Sequence, residues 1–369
     1  MMIDTKRDVN STHENWVMSK RYRMGILGAT GVVGQKFIEL LDGHPWFETA
    51  ELIASDRSVG KLYPEAVTWM GTAPIPKAVS EMTVKRAADP LQCDFVFSGL
   101  DSSVATELES QFASQGLPVI SNAKNFRSDP TVPLLIPEVN PDHLCLIQKQ
   151  SWPNGGFIVT NPNCSTVGVV CSAKPLDDAF GVDALQITTM QALSGAGYPG
   201  VSSLDIQGNV LPFIRGEEEK LEMEPLKLLG SVVDSKVQRS EISISAQCNR
   251  VPVVDGHLIS ISVQFREKAS LEDVEGVFRN FNSPSDVIDL PSSPDQFLHL
   301  FDDPECPQPA RHSMLGGGMT VSVGRLKACG VLDYRFVSLV HNTIRGAAGG
   351  AILNAELLVS KGYIGNRDS

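Results

Sequence analysis

Cys164 occupies a position in which a thiol could act as a nucleophile. It lies in Asn161-Pro-Asn-Cys-Ser-Thr166, between the apolar runs 157–159 and 167–170, which predict a strand and a helix. A thiol at the start of a helix meets the positive end of the helix dipole and free backbone N–H groups, so its pKa is expected to fall. The same N–H groups could hold the negative oxygen of a carbonyl group that bonds to the sulfur. A buried, inert cysteine is the alternative, but this strand-loop-helix setting favours a nucleophile.

A nucleophilic cysteine needs a partner that transfers protons and groups that bind its substrate. His257, in Asp-Gly-His at the predicted start of a strand, is better suited to proton transfer than the other histidines, although an exposed turn histidine is the alternative. Arg250 is the best candidate for binding a carboxylate through two parallel hydrogen bonds. A hairpin between the strand ending near Ala246 and the strand starting at Leu258 would place His257 and Arg250 at one end of a sheet, facing Cys164.

A glycine-rich loop near the N-terminus predicts a dinucleotide-binding site. Gly28-Ala-Thr-Gly-Val-Val-Gly34 follows the apolar segment 22–27 and opens a predicted helix at 35–41. In this setting the backbone can approach a pyrophosphate, whose charge the helix N-terminus stabilises, whereas a tight turn without a ligand is the alternative. The second strand ends in Ser55-Asp-Arg-Ser58, where the acidic residue would favour NAD and the arginine NADP. The arginine and the two serines lead us to predict NADP.

These residues require a scaffold with two kinds of sheet. Alternating strands and helices predict a doubly wound, mostly parallel sheet of the Rossmann type in the first part of the chain, with strands at 22–27, 51–55, 93–98 and 117–120 and helices at 35–41 and 104–115. After residue 157, a period of two in polarity predicts a mainly antiparallel sheet with one buried face, with strands at 185–192, 242–246, 258–265, 319–323 and 334–339. The predicted fold class is therefore α/β, with a second domain of the α+β type.

Two further segments complete the predicted scaffold. Six prolines between residues 282 and 309 predict that this segment is mainly loop. The end of the chain, 342–361, predicts one helix with an apolar face, because apolar residues recur there at helical spacing.

Composition and charge exclude several classes of protein. The chain has 369 residues, which suggests two domains, and a net charge of −12, which argues against nucleic-acid binding. Its apolar runs are shorter than a membrane span requires. Seven scattered cysteines without zinc-site spacing argue against a metal and favour a reducing compartment, so we expect a cytoplasmic protein. The polar residues 1–22 predict a flexible extension, since their acidic side chains argue against a transit peptide.

The motifs described above belong to a longer set that runs in a fixed order from about residue 24 to the C-terminus. The set comprises Gly-Ala-Thr-Gly-Val-Val-Gly (28–34), Ser-Asn-Ala-Lys-Asn-Phe-Arg (121–127), Ile-Pro-Glu-Val-Asn (136–140), Asn-Pro-Asn-Cys-Ser-Thr (161–166), Ser-Gly-Ala-Gly-Tyr-Pro-Gly (194–200), Gly-Glu-Glu-Glu-Lys (216–220), Cys-Asn-Arg-Val-Pro (248–252) and Asp-Gly-His (255–257). Together these motifs resemble the aspartate-β-semialdehyde dehydrogenase family, in the branch found in fungi and archaea.

The resemblance implies a reaction and a set of roles. Such an enzyme reduces β-aspartyl phosphate with NADPH to aspartate semialdehyde and phosphate, on the pathway to threonine, methionine and, where present, lysine. Cys164 would form a thioester, and hydride transfer to it would give a thiohemiacetal that collapses to the aldehyde. The implied role of His257 is to shuttle protons. The implied substrate contacts are Arg250 for the α-carboxylate, Glu217 or Glu218 for the ammonium group, Arg127 and Lys220 for the phosphate, and additionally Asn163 and Lys124.

The resemblance also implies cofactor contacts, domains and an assembly. The expected cofactor-binding residues are Gly28, Thr30, Gly31, Val32, Val33, Gly34, Ser55, Arg57, Ser58, Ser98, Ser194, Gly195 and Asn342. The expected NADP-binding domain comprises residues 23–156 and 342–369, and the expected catalytic and dimerisation domain comprises residues 157–341. Such enzymes act on small molecules and are expected to be homodimers or homotetramers.

Three other functions remain open on the sequence. A thioester-forming reductase of the same architecture, such as a malonyl-CoA reductase, would keep Cys164 and His257 but would not need Arg127 and Lys220 to bind a phosphate. An N-acetyl-γ-glutamyl-phosphate reductase is less favoured because its cysteine motif ends in Pro-Gly-Cys. A non-catalytic NADP-binding regulator would have no reason to keep both Cys164 and His257.

Overall fold

The computed structural model describes residues 21–365, which form two large sheets and a small hairpin. The strands are β1 (Tyr22–Leu27), β2 (Phe47–Ile53), β3 (Phe95–Ser98), β4 (Pro118–Ser121), β5 (Phe157–Thr160), β6 (Val182–Gln191), β7 (Ser231–Val233), β8 (Lys236–Gln238), β9 (Ser243–Arg250), β10 (His257–Phe265), β11 (Leu298–Leu300), β12 (Val321–Ala328) and β13 (Tyr334–Val340). The predicted extension lies outside the described residues except at its end, where Tyr22 already belongs to β1.

The α-helices surround these sheets. They are α1 (Val32–Leu41), α2 (Tyr63–Ala66), α3 (Lys77–Ser80), α4 (Ser102–Ser114), α5 (Cys164–Phe180), α6 (Ser203–Ile206), α7 (Glu217–Leu228), α8 (Leu271–Asn280), α9 (Ser285–Ile288), α10 (Pro309–His312) and α11 (Gly349–Ser360). Short 3₁₀ segments cover Pro141–Lys149, Pro153–Gly155, Leu193–Ala196 and Leu315–Gly318, and a π-helix covers Ile344–Ala348.

The first sheet is parallel and has the strand order β2-β1-β3-β4-β5. Strands β3, β4 and β5 are buried along their whole length, as expected for a sheet that helices cover on both faces. Residues of α1 and α11 share one hydrophobic core with this sheet, and residues of α4 lie in the core on the other side. The predicted Rossmann-type sheet is confirmed, and the end of the chain returns to it.

The second sheet has the strand order β11-β12-β13-β10-β6-β9. It is mainly antiparallel, with parallel pairs β6–β9 and β11–β12 at its two edges. In β10, buried apolar residues alternate with polar ones, and the apolar side packs on α5 and α8. The predicted hairpin is wrong, because β6 lies between β9 and β10. The predicted placement of Arg250 and His257 at one end of the sheet holds nevertheless. Strands β9 and β10 run in opposite directions, so the last residue of β9 and the first residue of β10 lie at the same end of the sheet.

Two expectations about the C-terminal third need correction. The predicted helix at 342–361 is a π-helix followed by α11, and every residue of α11 from Gly349 to Val359 is buried, so the helix has no solvent face. The proline-rich segment is mainly loop but contains α9 and β11, which pairs with β12. In the part of the chain that the structure describes, no helix has both the length and the apolar character required to cross a membrane.

Candidate active site

Cys164 is the first residue of α5, directly after β5. The side chain of Asn163 caps this helix, because its Oδ1 accepts hydrogen bonds from the N–H groups of Ser165 at 2.9 Å and Thr166 at 3.3 Å. The predicted strand-loop-helix setting is therefore present. The cap occupies the N–H groups of Ser165 and Thr166, so among the described residues the N–H of Cys164 is the one left at the helix start for a substrate oxygen.

The imidazole of His257 lies against the sulfur of Cys164. The distance from His257 Nε2 to Cys164 Sγ is 3.2 Å, and His257 is completely buried at the start of β10. On the other side of the ring, Nδ1 accepts a hydrogen bond of 3.1 Å from the N–H of Ala192. A neutral imidazole that accepts at Nδ1 carries its proton on Nε2, so this proton points at the sulfur. For Nε2 to accept the thiol proton, the ring must carry a proton on Nδ1 and give up the Ala192 contact.

Burial sets the charge of this pair. It raises the pKa of the Cys164 thiol to about 12, with the Glu217 carboxylate acting in the same direction and the Arg127, Lys220 and Arg250 charges opposing it. Burial also lowers the pKa of His257 to about 3, and the Arg250 charge adds to this effect. At neutral pH the pair is therefore a thiol beside a neutral imidazole. The lowered thiol pKa expected from the helix dipole is wrong for this site, since desolvation outweighs it.

Glu217 and Lys220 lie on one face of α7, directed at the start of α5. Glu217 Oε2 accepts a 2.9 Å hydrogen bond from Asn163 Nδ2, and its other oxygen is paired with Lys220. Burial alone would raise the pKa of Glu217, but Lys220 and the amide donors hold it below its usual range, so the group is a carboxylate. Glu218 instead accepts a hydrogen bond from the backbone of Cys248. Of the two candidates, Glu217 faces the site.

Arg127 is held in place by a residue that the sequence did not point to. Its Nη1 donates to Glu224 Oε1 at 2.8 Å, and its Nη2 donates to the carbonyl oxygen of Asn122 at 2.7 Å. Its buried Nε has no hydrogen-bond partner among residues 21–365. The second oxygen of Glu224 accepts the N–H of Asn163 at 2.7 Å. Glu224 therefore joins Arg127 to the loop that carries the cysteine. Lys124 is exposed and lies on the rim of the cavity that Arg127 lines.

Arg250 is the last residue of β9 and lies at the same end of the sheet as His257. It is 5% exposed, and Nη1 donates to the carbonyl oxygen of Ala192 at 2.6 Å. Ala192 thus contacts Arg250 through its carbonyl oxygen and His257 through its N–H. Gly195, predicted to bind the cofactor, lies against both side chains: a Cβ atom there would be 2.9 Å from Arg250 Nη1 and 3.0 Å from His257 Cε1. A side chain at this position would displace one of them.

The glycine loop has the shape that a bound pyrophosphate requires. Gly28 has a φ of 77°, which only glycine adopts readily, and a Cβ atom at Gly34 would be 2.3 Å from the Gly28 carbonyl oxygen. Gly31 is exposed at the start of α1 and caps it without a side chain. The remaining predicted residues of this loop are all half-buried and lie beside it: Thr30, Val32 and Val33.

A cavity of 390 Å³ lies between this loop and the second sheet, with Val32, Ser194 and Thr343 in its wall. The buried Asn342 fixes that wall, because it donates to Ser194 Oγ at 2.8 Å and accepts the N–H of Gly256 at 2.9 Å. Both polar atoms of its amide group are therefore engaged within the protein.

The other predicted cofactor residues lie at the ends of β2 and β3. Ser55 and Arg57 are exposed and Ser58 is buried, directly after β2, whose last residue accepts two N–H groups of the glycine loop. Ser98 is completely buried, and its hydroxyl donates to Glu109 at 2.6 Å, so this hydroxyl is not free for a ligand.

Sequence reasoning missed Glu224, Lys227 and the backbone of Ala192. A signal for the first two exists, since the charged residues of α7 recur at spacings of three and four and form one stripe: Glu217, Lys220, Glu224 and Lys227. No side-chain pattern could reveal Ala192, because it acts through its backbone. Among residues 21–365, no group of three His, Cys, Asp or Glu side chains is arranged to hold a metal ion.

Comparison with known proteins places this site in a family. The semialdehyde dehydrogenase NAD-binding domain matches residues 23–147, and the semialdehyde dehydrogenase dimerisation domain matches residues 173–345. The aspartate-semialdehyde dehydrogenase of Schizosaccharomyces pombe is 51% identical over 355 residues, which cover 93% of this chain and 99% of that protein. The chain belongs to the aspartate-semialdehyde dehydrogenase family. A relative with the same name from Archaeoglobus fulgidus is 47% identical over 93% of this chain and 100% of its own length, so the predicted fungal and archaeal branch is confirmed.

Solved structures agree with this assignment. The crystal structure of aspartate semialdehyde dehydrogenase with NADP from Candida albicans superimposes with a TM-score of 0.85 at 44% identity, covering 92% of this chain and 99% of that one. The aspartate semialdehyde dehydrogenase II of Vibrio cholerae has a TM-score of 0.74 at 26% identity, with the same coverage. The predicted family and fold are confirmed, and the dimerisation domain supports the expected homo-oligomer.

Proposed function

We propose that this protein reduces L-aspartyl 4-phosphate to L-aspartate 4-semialdehyde with NADPH, through a thioester on Cys164. The observation that carries the proposal is the 3.2 Å contact between Cys164 and His257, at a site that also holds a buried arginine and a paired carboxylate and lysine. A nucleophile, a proton-transfer group and binding groups for a charged amino acid are thus collected around the start of α5.

The substrate would be held by charges at both of its ends. Arg250 is buried with only one of its guanidinium nitrogens bonded to Ala192, which leaves donors for the α-carboxylate. The ionised Glu217 supports binding of the ammonium group. Lys220 and the unpartnered Nε of Arg127 would bind the phosphate, while Glu224 restricts the Arg127 side chain to one orientation.

The chain's own residues account for the covalent steps. As the Cys164 sulfur attacks the acyl carbon and phosphate leaves, the thiol loses its proton, and His257 Nε2 is the base within reach. Accepting this proton requires Ala192 to release Nδ1, so a small movement of the 192–196 segment is part of the step. The low pKa of His257 then favours return of the proton to the oxygen or sulfur of the reduced intermediate.

The residues present fit NADP, because no side chain caps the N-terminus of α1, whose first N–H groups can therefore bind a pyrophosphate. When bound, this cofactor would supply the hydride that reduces the thioester. Gly28, Gly31 and Gly34 would hold its pyrophosphate at the start of α1. Arg57 has no ion-pair partner among residues 21–365, so its charge is available to the 2′-phosphate of NADP. Asp56, which would favour NAD, is paired instead with Arg86, with 3.6 Å between Asp56 Oδ1 and Arg86 Nε. This difference supports a preference for NADP.

The test is formation of NADPH from aspartate semialdehyde and NADP, with and without inorganic phosphate. We expect a reaction that depends on phosphate and that coenzyme A cannot support in its place. A rate with coenzyme A but none with phosphate would favour the malonyl-CoA type of reductase. Tight binding of NADP without any turnover would favour a regulator, and either result would contradict the proposal.

We also propose the organisation that this activity implies. Residues 23–156 and 342–369 would form the cofactor-binding domain, and residues 157–341 the catalytic and dimerisation domain, in a homodimer or homotetramer. This division is supported by the shared core of α11 and the first sheet. All seven cysteines are free thiols, which supports a cytoplasmic location.

A further inference from the structure

Two cavities with basic walls lie next to each other on the α7 side of the molecule. The outer one has a volume of 360 Å³ and is lined by four cationic side chains and no carboxylate; its cations are Lys149, Lys227, Lys236 and Arg239. The inner one has a volume of 270 Å³, and its wall contains Arg127 and Lys220 together with the carboxylates of Glu219 and Glu224. Ser128, Lys227 and Arg239 line both cavities, so the two form one continuous groove, here called the capture groove.

The cations of the outer cavity come from three separate parts of the chain. Lys149 ends a 3₁₀ segment, Lys227 lies near the end of α7, and Lys236 and Arg239 belong to the hairpin of β7 and β8 and the residue just after it. Their convergence is therefore a result of the fold and does not reflect a local run of basic sequence. The chain as a whole has a net charge of −12, so this cavity is a local positive region in a negatively charged protein.

The exposed cations of the outer cavity are not neutralised within the described chain, whereas Arg127 and Lys220 of the inner cavity are paired with Glu224 and Glu217. Lys149, Lys236 and Arg239 are exposed, and none of them forms an ion pair with a residue of 21–365. Lys227 is buried and donates to three backbone carbonyl oxygens at 2.7 to 2.8 Å, which fix its ammonium group. Burial lowers the pKa of Lys227 to about 8; Asp129 opposes this and the Arg239 charge adds to it, so the two cations repel each other.

The inner end of the groove contains residues of the candidate active site. Arg127, Lys220 and Glu224 line it, and Glu224 bonds the backbone of Asn163, the residue before the cysteine. Within the described part of the chain, the buried Nε of Arg127 has no hydrogen-bond acceptor. A cationic path that ends at such a donor suits an anion that carries a phosphate group.

We propose that the capture groove binds the phosphate group of the acyl-phosphate substrate, and inorganic phosphate in the reverse direction, and guides it to Arg127 and Lys220. This inference rests on the proposed function and adds an entry site to it. The outer cavity is lined by charges of one sign, and such a cavity raises the local concentration of an oppositely charged ligand, an effect that weakens with ionic strength. The groove would therefore act on substrate capture and not on the chemical steps.

The test compares the double variant Lys236→Gln/Arg239→Gln with a matched control, Arg266→Gln/Lys268→Gln. Both pairs remove one exposed lysine and one exposed arginine, and the control pair lies outside the groove. At low ionic strength we expect kcat/KM for phosphate to fall about three- to tenfold in the groove variant, with kcat and the KM for NADP unchanged. The difference in kcat/KM between the groove variant and the control should disappear above roughly 0.3 M salt, where the Debye length is a few ångströms.

Calorimetric titration of the full chain with inorganic phosphate gives a readout that does not depend on turnover. We expect the groove variant to bind phosphate about three- to tenfold more weakly than the control variant. Equal phosphate affinity and equal kcat/KM for the two variants at low ionic strength would overturn the capture groove. An unaltered enzyme without phosphate-dependent turnover, but with phosphate binding that needs Lys236 and Arg239, would instead overturn the proposed reaction and leave the groove standing.

Discussion

The substitution Gly346→Ala should displace the nucleophile without replacing any side chain that takes part in the reaction. Gly346 is buried in the π-helix and packs on the first residue of α5: a Cβ atom there would be 2.8 Å from Cys164 Cβ and 3.0 Å from Cys164 Cα. Carbon atoms in contact are ordinarily about 3.5–4.0 Å apart, so one of the two segments must move by roughly 0.5–1.2 Å. A misplacement of about 1 Å at a reacting atom can lower the rate by about 100-fold. We therefore expect kcat to fall by about two orders of magnitude.

Steady-state kinetics and a direct measurement of NADP affinity separate this effect from general damage. Cys164 lies at the start of α5 and the glycine loop at the start of α1, so the affinity for NADP should stay within about twofold of the unaltered enzyme while kcat falls. Gly276→Ala is the matched control, because a Cβ atom at this position in α8 meets nothing within 4 Å. It should keep full activity and gain about 0.5–1 kcal/mol of stability. A Gly346→Ala enzyme with kcat within threefold of the original would refute the reasoning.

Three further predictions follow from the geometry and charges of the site. His257→Asn should lower kcat by roughly 10²–10⁴ with little change in KM, whereas Arg250→Lys should act mainly on KM because lysine lacks the planar fork; the opposite pattern in steady-state kinetics would show that the roles are misassigned. Because burial raises the pKa of Cys164 to about 12, its thiolate fraction, and with it the rate of its reaction with iodoacetamide, should grow about tenfold per pH unit between pH 7 and 10. Neighbouring backbone N–H groups lower the pKa of Cys329, so the labelling rate of Cys329 should reach its plateau at a lower pH. Peptide mass spectrometry after labelling measures both rates. Arg57→Gln should weaken NADP about tenfold or more and NAD hardly at all, since a charge-assisted contact contributes roughly 1.5–3 kcal/mol, and fluorescence titration with the two cofactors would expose an error if both weakened equally.

The scaffold was predictable because local sequence and fold agree in the first half of the chain. The glycine loop and the apolar strands around it carry their own signals, which predicted β1, α1 and a mostly parallel sheet. The second sheet was harder to predict, because the period of two identifies strands but not their neighbours. Nothing in the sequence around residues 246–258 shows that β6 inserts between β9 and β10, and this pairing is decided by long-range contacts.

Within the site, residue types were predictable and their electrostatics were not. The motif identified Cys164 and the helix start correctly, yet the inferred fall of its pKa ignored the desolvation that the folded chain imposes. The network of Glu224 with Arg127 and Asn163 joins residues that are up to 97 positions apart, so it is visible only in three dimensions. The π-helix likewise depends on packing against α5, since the sequence of 342–361 has an ordinary helical spacing.

The central claim is that Cys164 becomes covalently attached to the substrate, and trapping of that intermediate tests it most directly. The unaltered enzyme is mixed with aspartyl phosphate in the absence of NADPH, quenched in acid, digested and analysed by mass spectrometry. We predict an aspartyl adduct on the peptide that contains Cys164, removable by hydroxylamine as a thioester is and absent from Cys164→Ser. An aspartyl group on another residue, or the same adduct on the Cys164→Ser enzyme, would contradict the account.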